Sequence, residues 1–231
     1  MFSPDGRFDA AGGDAGGKLR VLVWDLRSRR PTGVEFDVSG ASLAFSPDGR
    51  LLAANGFEKP TQVRDVRTGR VVARLKTGDS VRTVAFSPDR RLLAVGRYGG
   101  TVLFYSTRTW KRVGRALDGH EARVTALEFS GDGRTLATGA VDGTVRLWSV
   151  GTQRAIGSSL EIEPEAYVSA RFSRDGSNLF AVPHDGRGVR WDVRPASWKR
   201  HACVVAGREL TEREWRDALP ERPFRPVCGR S

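Results

Sequence analysis

The sequence predicts an all-β fold assembled from one repeated four-stranded unit, and three observations predict it. A six-residue segment recurs five times, as FSPDGR at Phe2, FSPDGR at Phe45, FSPDRR at Phe86, FSGDGR at Phe129 and FSRDGS at Phe172, at steps of 43, 41, 43 and 43 residues. A second landmark follows each one: Trp24-Asp25, Arg64-Asp65, Tyr105-Ser106, Trp148-Ser149 and Trp191-Asp192. It lies 19 residues after the phenylalanine in the last four copies and 22 in the first. The stretches between are short alternating apolar and polar runs, broken by turn residues every ~8–12 positions, with no helical period. Two landmarks held in register over a fixed period mark a repeated supersecondary unit.

The fourth copy shows the elements in order. VTALEFS, Val124 to Ser130, is rich in strand formers and alternates. Gly131-Asp132-Gly133-Arg134 turns the chain, and in other copies Ser-Pro-Asp-Gly places proline where its fixed φ suits a type I turn. TLATGAV, Thr135 to Val141, is the second strand. Asp142-Gly143 is expected to supply the positive φ angles of a tight hairpin into TVRLWSV, Thr144 to Val150. A last turn at Gly151-Thr152-Gln153-Arg154 leads to a fourth strand, AIGSSLE.

Composition narrows the rest. The 231 residues carry a net charge of +11 and are 39% hydrophobic and 28% charged, enough chain for a sizeable core without staples. No apolar run of about 18 residues predicts a membrane span, and no basic-then-apolar start predicts a secretory leader. A cytoplasmic protein is expected. Arginine makes up 33 of the 38 basic residues, an imbalance read as the codon bias of a GC-rich genome rather than as nucleic-acid binding. Cys203 and Cys228 are too few for a disulfide scaffold and are expected as two thiols.

A period of about 42 with four strands and a Trp-Asp signature resembles the WD-repeat (WD40) β-propeller family. The resemblance covers residues 1 to about 195 and is most specific in the fourth copy. There Gly119-His120, Thr138, Asp142 and Trp148 match the family's structural tetrad, which implies that His120 bridges Asp142 and the Thr138 hydroxyl while Trp148 closes the network. The other copies lack the full set, with Arg64 for the tryptophan in the second and Gly99 for the aspartate in the third. Their sheets are expected to rely on apolar packing. The chain is expected to form a partial propeller of four to five four-stranded blades over residues 1–195. Residues 196–231 would follow as a capping extension with one short helix, Glu212 to about Leu219, opened by the capping box Thr211-Glu212-Arg213-Glu214. An arc starting inside a blade would leave faces uncovered, to be met by a missing N-terminal part or by self-association. The segment from Ser197 to Cys228 resembles the end of WD-repeat arrays in bacterial regulatory proteins, which implies a bacterial parent with a separate NTPase, kinase or transcription-factor module.

Catalytic and metal motifs are approached but not completed. Gly12 to Leu19, GGDAGGKL, approaches a phosphate-binding loop, but Leu19 stands where a magnesium-holding hydroxyl is required and the segment joins two strands. Glu161, Glu163 and Glu165 have no supporting Asp, Asn or His pattern, and His184-Asp185 falls in a turn. No metal, cofactor or enzymatic activity is expected. The family's loop face makes Phe57, Tyr98, His184 and Arg123 candidates for a partner-binding rim. At the opposite end, Arg27, Arg29, Arg30, Arg67, Arg70, Arg108, Lys111 and Arg112 form a basic rim. The expected function is a non-enzymatic scaffold or sensor module that binds a protein or peptide within a bacterial regulator. The alternative is a basic nucleic-acid-associated protein acting through the Arg-rich rim.

Overall fold

A computed structural model describes residues 1–14, 19–37, 42–56, 59–78, 80–162, 167–183, 186–194, 197, 203 and 211–213. The first sheet holds β1 (Phe8–Asp14), β2 (Leu19–Asp25) and β3 (Arg30–Asp37). Its innermost strand is reduced to a single bridge between Phe2 and Asp9. The second holds β4 (Leu43–Phe45), β5 (Leu51–Gly56), β6 (Lys59–Asp65) and β7 (Val71–Leu75). The third holds β8 (Val81–Phe86), β9 (Leu92–Arg97), β10 (Val102–Ser106) and β11 (Arg112–Leu117). The fourth holds β12 (Val124–Phe129), β13 (Thr135–Ala140), β14 (Thr144–Ser149) and two short outer pieces, β15 (Arg154–Ala155) and β16 (Leu160–Glu161), both paired with β14. The fifth holds β17 (Val168–Phe172), β18 (Asn178–Pro183) and β19 (Val189–Asp192). Every pairing is antiparallel between strands adjacent in the chain, apart from that of β16 with β14.

The recurring hexapeptide is a hydrogen-bonded device. In each copy the serine hydroxyl (Ser3, Ser46, Ser87, Ser130, Ser173) donates to the aspartate two residues on at 2.6 Å. That carboxylate also accepts the amide two residues further along, from Arg7, Arg50, Arg91, Arg134 or Ser177. The serine oxygen in turn accepts the first amide of the next strand, closing the turn. These bonds favour the ionised acid: the Ser173 hydroxyl, then the Ser177 amide and hydroxyl, hold the Asp175 carboxyl at about 2. The residue after the aspartate has positive φ in every copy, which explains the glycine there, and in the third copy Arg90 takes that conformation at φ 62°. A backbone bond from the third turn of each sheet (Leu26, Val66, Thr107, Val150, Val193) to the first (Arg7, Arg50, Arg91, Arg134, Ser177) locks both turns at one end, at 2.8–3.0 Å.

The third turn carries a second left-handed position, filled by Arg29, Gly69, Trp110 and Gln153 in the first four sheets. Only the second sheet uses glycine. Arg29 is exposed with φ 55°, so Arg29→Gly is expected to stabilise the fold by about 0.5–1 kcal/mol, read as a higher urea midpoint.

The core is a series of interlayers. Phe8, Ala10, Val21, Val23, Val34 and Phe36 of the first sheet pack on Phe45, Leu52, Ala54 and Val66 of the second. Ala53, Val63 and Leu75 face the third sheet. Phe104 of the third sheet meets Phe129 of the fourth with ring centroids 6.2 Å apart, and Ala137, Val145 and Leu147 face the fifth. Middle strands are therefore buried on both sides, as in β9 and β13. The fifth sheet alternates instead, with Leu179 and Ala181 buried while Phe180 and Val182 are 42% and 44% exposed. The first sheet does the same, burying Val21 and Val23 and leaving Trp24 40% exposed. The stack is an open arc with an apolar outer face at each end.

Four expectations are corrected. AIGSSLE is not one strand, because Gly157 at φ 71° interrupts it between β15 and β16. Asp142 lacks positive φ; only Gly143 has it, at 77°, since the Asp142 side chain is engaged by the Thr144 amide at 2.9 Å. The second sheet does not rely on apolar packing alone: buried Asn55 accepts the Ser42 amide at 2.9 Å and donates to the Val81 carbonyl at 2.6 Å. Cys203 is disulfide-bonded rather than a thiol, and Cys228 lies outside the described residues. In the tail the described residues Ser197, Cys203, Glu212 and Arg213 are helical; the rest of the stretch to Leu219 lies outside the described residues.

Candidate functional site

The four tetrad residues converge in the fourth sheet. The His120 ring lies 2.9 Å from Asp142 Oδ2 through Nδ1 and 2.7 Å from Thr138 Oγ1 through Nε2, and Trp148 Nε1 donates to the same Oγ1 at 2.9 Å. One arrangement of protons satisfies all three contacts. Indole N–H donates to the threonine, whose hydroxyl donates to Nε2, leaving the proton on Nδ1 to donate to the carboxylate. Thr144 adds its hydroxyl and amide to Asp142 Oδ1, and the Glu121 amide reaches Oδ2 at 3.0 Å. Burial pushes the imidazole below its ordinary value, against the pull of Asp142. Burial works to raise Asp142, but the Thr144 hydroxyl and the charge of His120 outweigh it, and the carboxyl sits below the usual range. The network is a strut: it pins the loop entering β12 to the hairpin joining β13 and β14.

What it supports lies beside it. Tyr98 follows β9, Arg123 precedes β12 and Tyr167 precedes β17, so three consecutive sheets bring one side chain each to the same rim. Arg123 donates to the hydroxyls of Tyr98, at 2.9 Å, and Tyr167. Its guanidinium carbon lies 5.4 Å from the Tyr98 ring centre and 4.7 Å from that of Tyr167. Arg82 of the third sheet adds a second cation 5.9 Å from Tyr167. Both rings are exposed, at 48% and 43%, although their hydroxyls are held. Among the described residues neither arginine has a carboxylate partner. Sequence reasoning placed Tyr98 and Arg123 on this rim but missed Tyr167 and Arg82; the one signal for Tyr167 was its position five residues before Phe172. Phe57 and His184 lie outside the described residues.

The opposite end carries the basic rim. Arg27, Arg29, Arg30, Arg67, Arg70, Arg108, Lys111 and Arg112 are all exposed at or beside the third turns, none with an ion-pair partner among the described residues. Between the two ends, the innermost strands border an axial cavity of about 380 Å³ lined by Ser42, Thr83, Thr125 and Ser169. Its charged pair is Glu128 with Arg171, 2.5 Å apart, and burial raises the Glu128 carboxyl against the opposing arginine. No three His, Cys, Asp or Glu side chains converge among the described residues, and Gly12 and Leu19 belong to paired strands.

Residues 69–106 and 111–149 match the family model described as WD domain, G-beta repeat. Each match begins at the fourth strand of one sheet and ends with the third strand of the next, so the sequence repeat is offset by one strand from the structural sheet. No curated protein matches the chain. Among solved structures, the β-propeller domain of Myceliophteria thermophila Cps50 (Swd1) is similar with a TM-score of 0.70 and 18% identity, over 84% of this chain and 64% of that one. The chain therefore spans about two thirds of that solved chain's length. Five radial sheets, their turn chemistry and the two matched repeats lead to one assignment: residues 69–106 and 111–149 are WD40 repeats, and the chain folds as the blades of a β-propeller arc.

Proposed function

We propose that this chain is a non-enzymatic binding platform that presents Tyr98, Arg123, Tyr167 and Arg82 to a protein or peptide partner. WD40 propeller domains generally act as protein-interaction scaffolds, which gives the class; the rim gives the place. The observation that carries the reading is that two exposed tyrosines and an arginine from three blades are held rigid before any partner arrives. Aromatic and arginine side chains dominate binding hot spots, and fixing them in advance removes part of the ordering cost of association. The unneutralised Arg82 and Arg123 favour a partner segment that offers carboxylates or backbone carbonyls.

In this reading residues 1–195 form the platform and residues 196–231 cap its last blade, within a longer cytoplasmic regulator of bacterial origin. The resemblance of the tail to such proteins supports that context. The apolar outer faces of the first and last blades would be met by further blades of that parent or by a second copy.

The test uses peptides selected on the full chain from a randomised library. Arg123→Ala and Tyr98→Ala are expected to weaken the selected peptides at least about tenfold, with an unchanged melting temperature. Peptides that bind both variants as tightly as wild type would place the partner site elsewhere.

A further inference from the structure

A second concavity lies away from the tyrosine rim, on the flank where the second blade meets the third. It has a volume of about 600 Å³ and is walled by Arg74 of β7 and Lys76 just after it, Arg97 at the end of β9, Trp110 and Lys111 of the turn after β10, and Arg112 of β11. Four exposed cations, Arg74, Lys76, Lys111 and Arg112, share this space with the Arg97 guanidinium held in its wall, and no carboxylate lines it among the described residues. Arg74, Lys76, Lys111 and Arg112 are exposed and have no ion-pair partner there.

The walls are built. Arg97 donates to the Thr101 hydroxyl at 3.2 Å. Gly78 at φ 84° lets the backbone pass so close that an added Cβ would stand 3.2 Å from the Arg97 guanidinium. Tyr105, buried at the back, donates its hydroxyl to the Lys76 carbonyl at 3.0 Å and so fixes the segment that carries Arg74 and Lys76. Trp110, half-buried in the interlayer between the blades, supplies a flat side.

Like charges gathered in a groove repel one another, and the arrangement is relieved by a ligand that concentrates several negative charges in a small volume. A single carboxylate meets one or two of the four exposed cations; a chain of phosphates meets most of them, through the bidentate contacts arginine makes with phosphate oxygens. The volume falls in the range of small-molecule sites, ~300–1,000 Å³. We propose that this inter-blade groove binds a polyphosphate group, carried by a soluble phosphate ester or by a lipid headgroup. The basic rim anticipated from sequence is divided by this assignment: Lys111 and Arg112 belong to the groove, while Arg27, Arg29 and Arg30 are solvated charge.

The experiment titrates the full chain with inorganic triphosphate at about 0.15 M salt, read by calorimetry and by indole fluorescence with Trp110→Phe as the reference. Two variants remove the same charge from different places, Arg74→Ala/Lys76→Ala/Arg112→Ala and Arg27→Ala/Arg29→Ala/Arg30→Ala. Saturable one-to-one binding is expected, weakened at least about tenfold by the first variant and less than about twofold by the second. Equal weakening by both, or no saturable binding, overturns the proposal. Phosphatidylcholine vesicles with and without a phosphoinositide separate the sources: tighter binding to the phosphoinositide vesicles than to triphosphate assigns the groove to a lipid headgroup, and weaker binding assigns it to a soluble ester.

Discussion

Gly100→Ala is expected to cost about 3–5 kcal/mol of stability. Two penalties combine. The residue sits at φ 81° in the hairpin between β9 and β10, where an L side chain is strained. A Cβ there would also lie 2.2 Å from the His120 carbonyl oxygen and 3.1 Å from that of Ala122. Those atoms are backbone and cannot rotate aside, and the His120 backbone is held by its own ring through Asp142 and Thr138. The strain of the third blade is thus delivered to the strut of the fourth. Chemical denaturation should show a lower midpoint, and the double variant with His120→Ala should lose less than the sum of the two, because removing the ring frees the loop to move. An unchanged midpoint would mean that the two loops are not packed as described.

His120→Ala is expected to cost about 2–3 kcal/mol, since it leaves Asp142 and the buried Thr138 hydroxyl without their shared partner. Its signature is in the pH dependence. Burial holds the folded imidazole below the ordinary 6.5, so the native state keeps it neutral where the unfolded chain takes up a proton. As pH falls through about 6.5 the unfolded state binds the extra proton and stability declines. Asp142 behaves in the opposite sense of charge but the same sense of stability. Its depressed pKa contributes above the ordinary 3.8, and that contribution is lost as pH falls through the folded value. Thermal melts from pH 8 to 5 should therefore decline more steeply for wild type than for His120→Ala. Parallel curves would show that the ring titrates as it does in the unfolded chain.

The repeat was legible because its physics is local. Each Phe-Ser-x-Asp turn is closed by bonds spanning two to five residues, so its chemistry is written in consecutive letters, and the tetrad was legible because its residue types are tied to turn and strand positions at most 28 residues apart. The rim was only half legible. Tyr98 stood out as a bulky residue in a turn, whereas Tyr167 joins Arg123 from 44 residues away and only its place five residues before Phe172 marks it. The groove was less legible still: Lys111 and Arg112 were read as two charges among eight, and their partners Arg74 and Lys76 are exposed alternate residues at the end of an outer strand, a pattern any solvated strand shows. Asn55 was missed for the same reason, since its partner Val81 belongs to the next blade.

By itself the sequence determined the class of unit, the recurring Phe-Ser-x-Asp turn and the one blade with a full polar strut, because hydrogen bonds within a repeat depend on spacing alone. Only the tertiary structure decided which side chains of neighbouring blades meet, which faces of the arc stay open and where exposed cations gather. Those outcomes depend on the angle and distance between sheets, which are set by how Leu, Val and Phe side chains interdigitate across each interlayer.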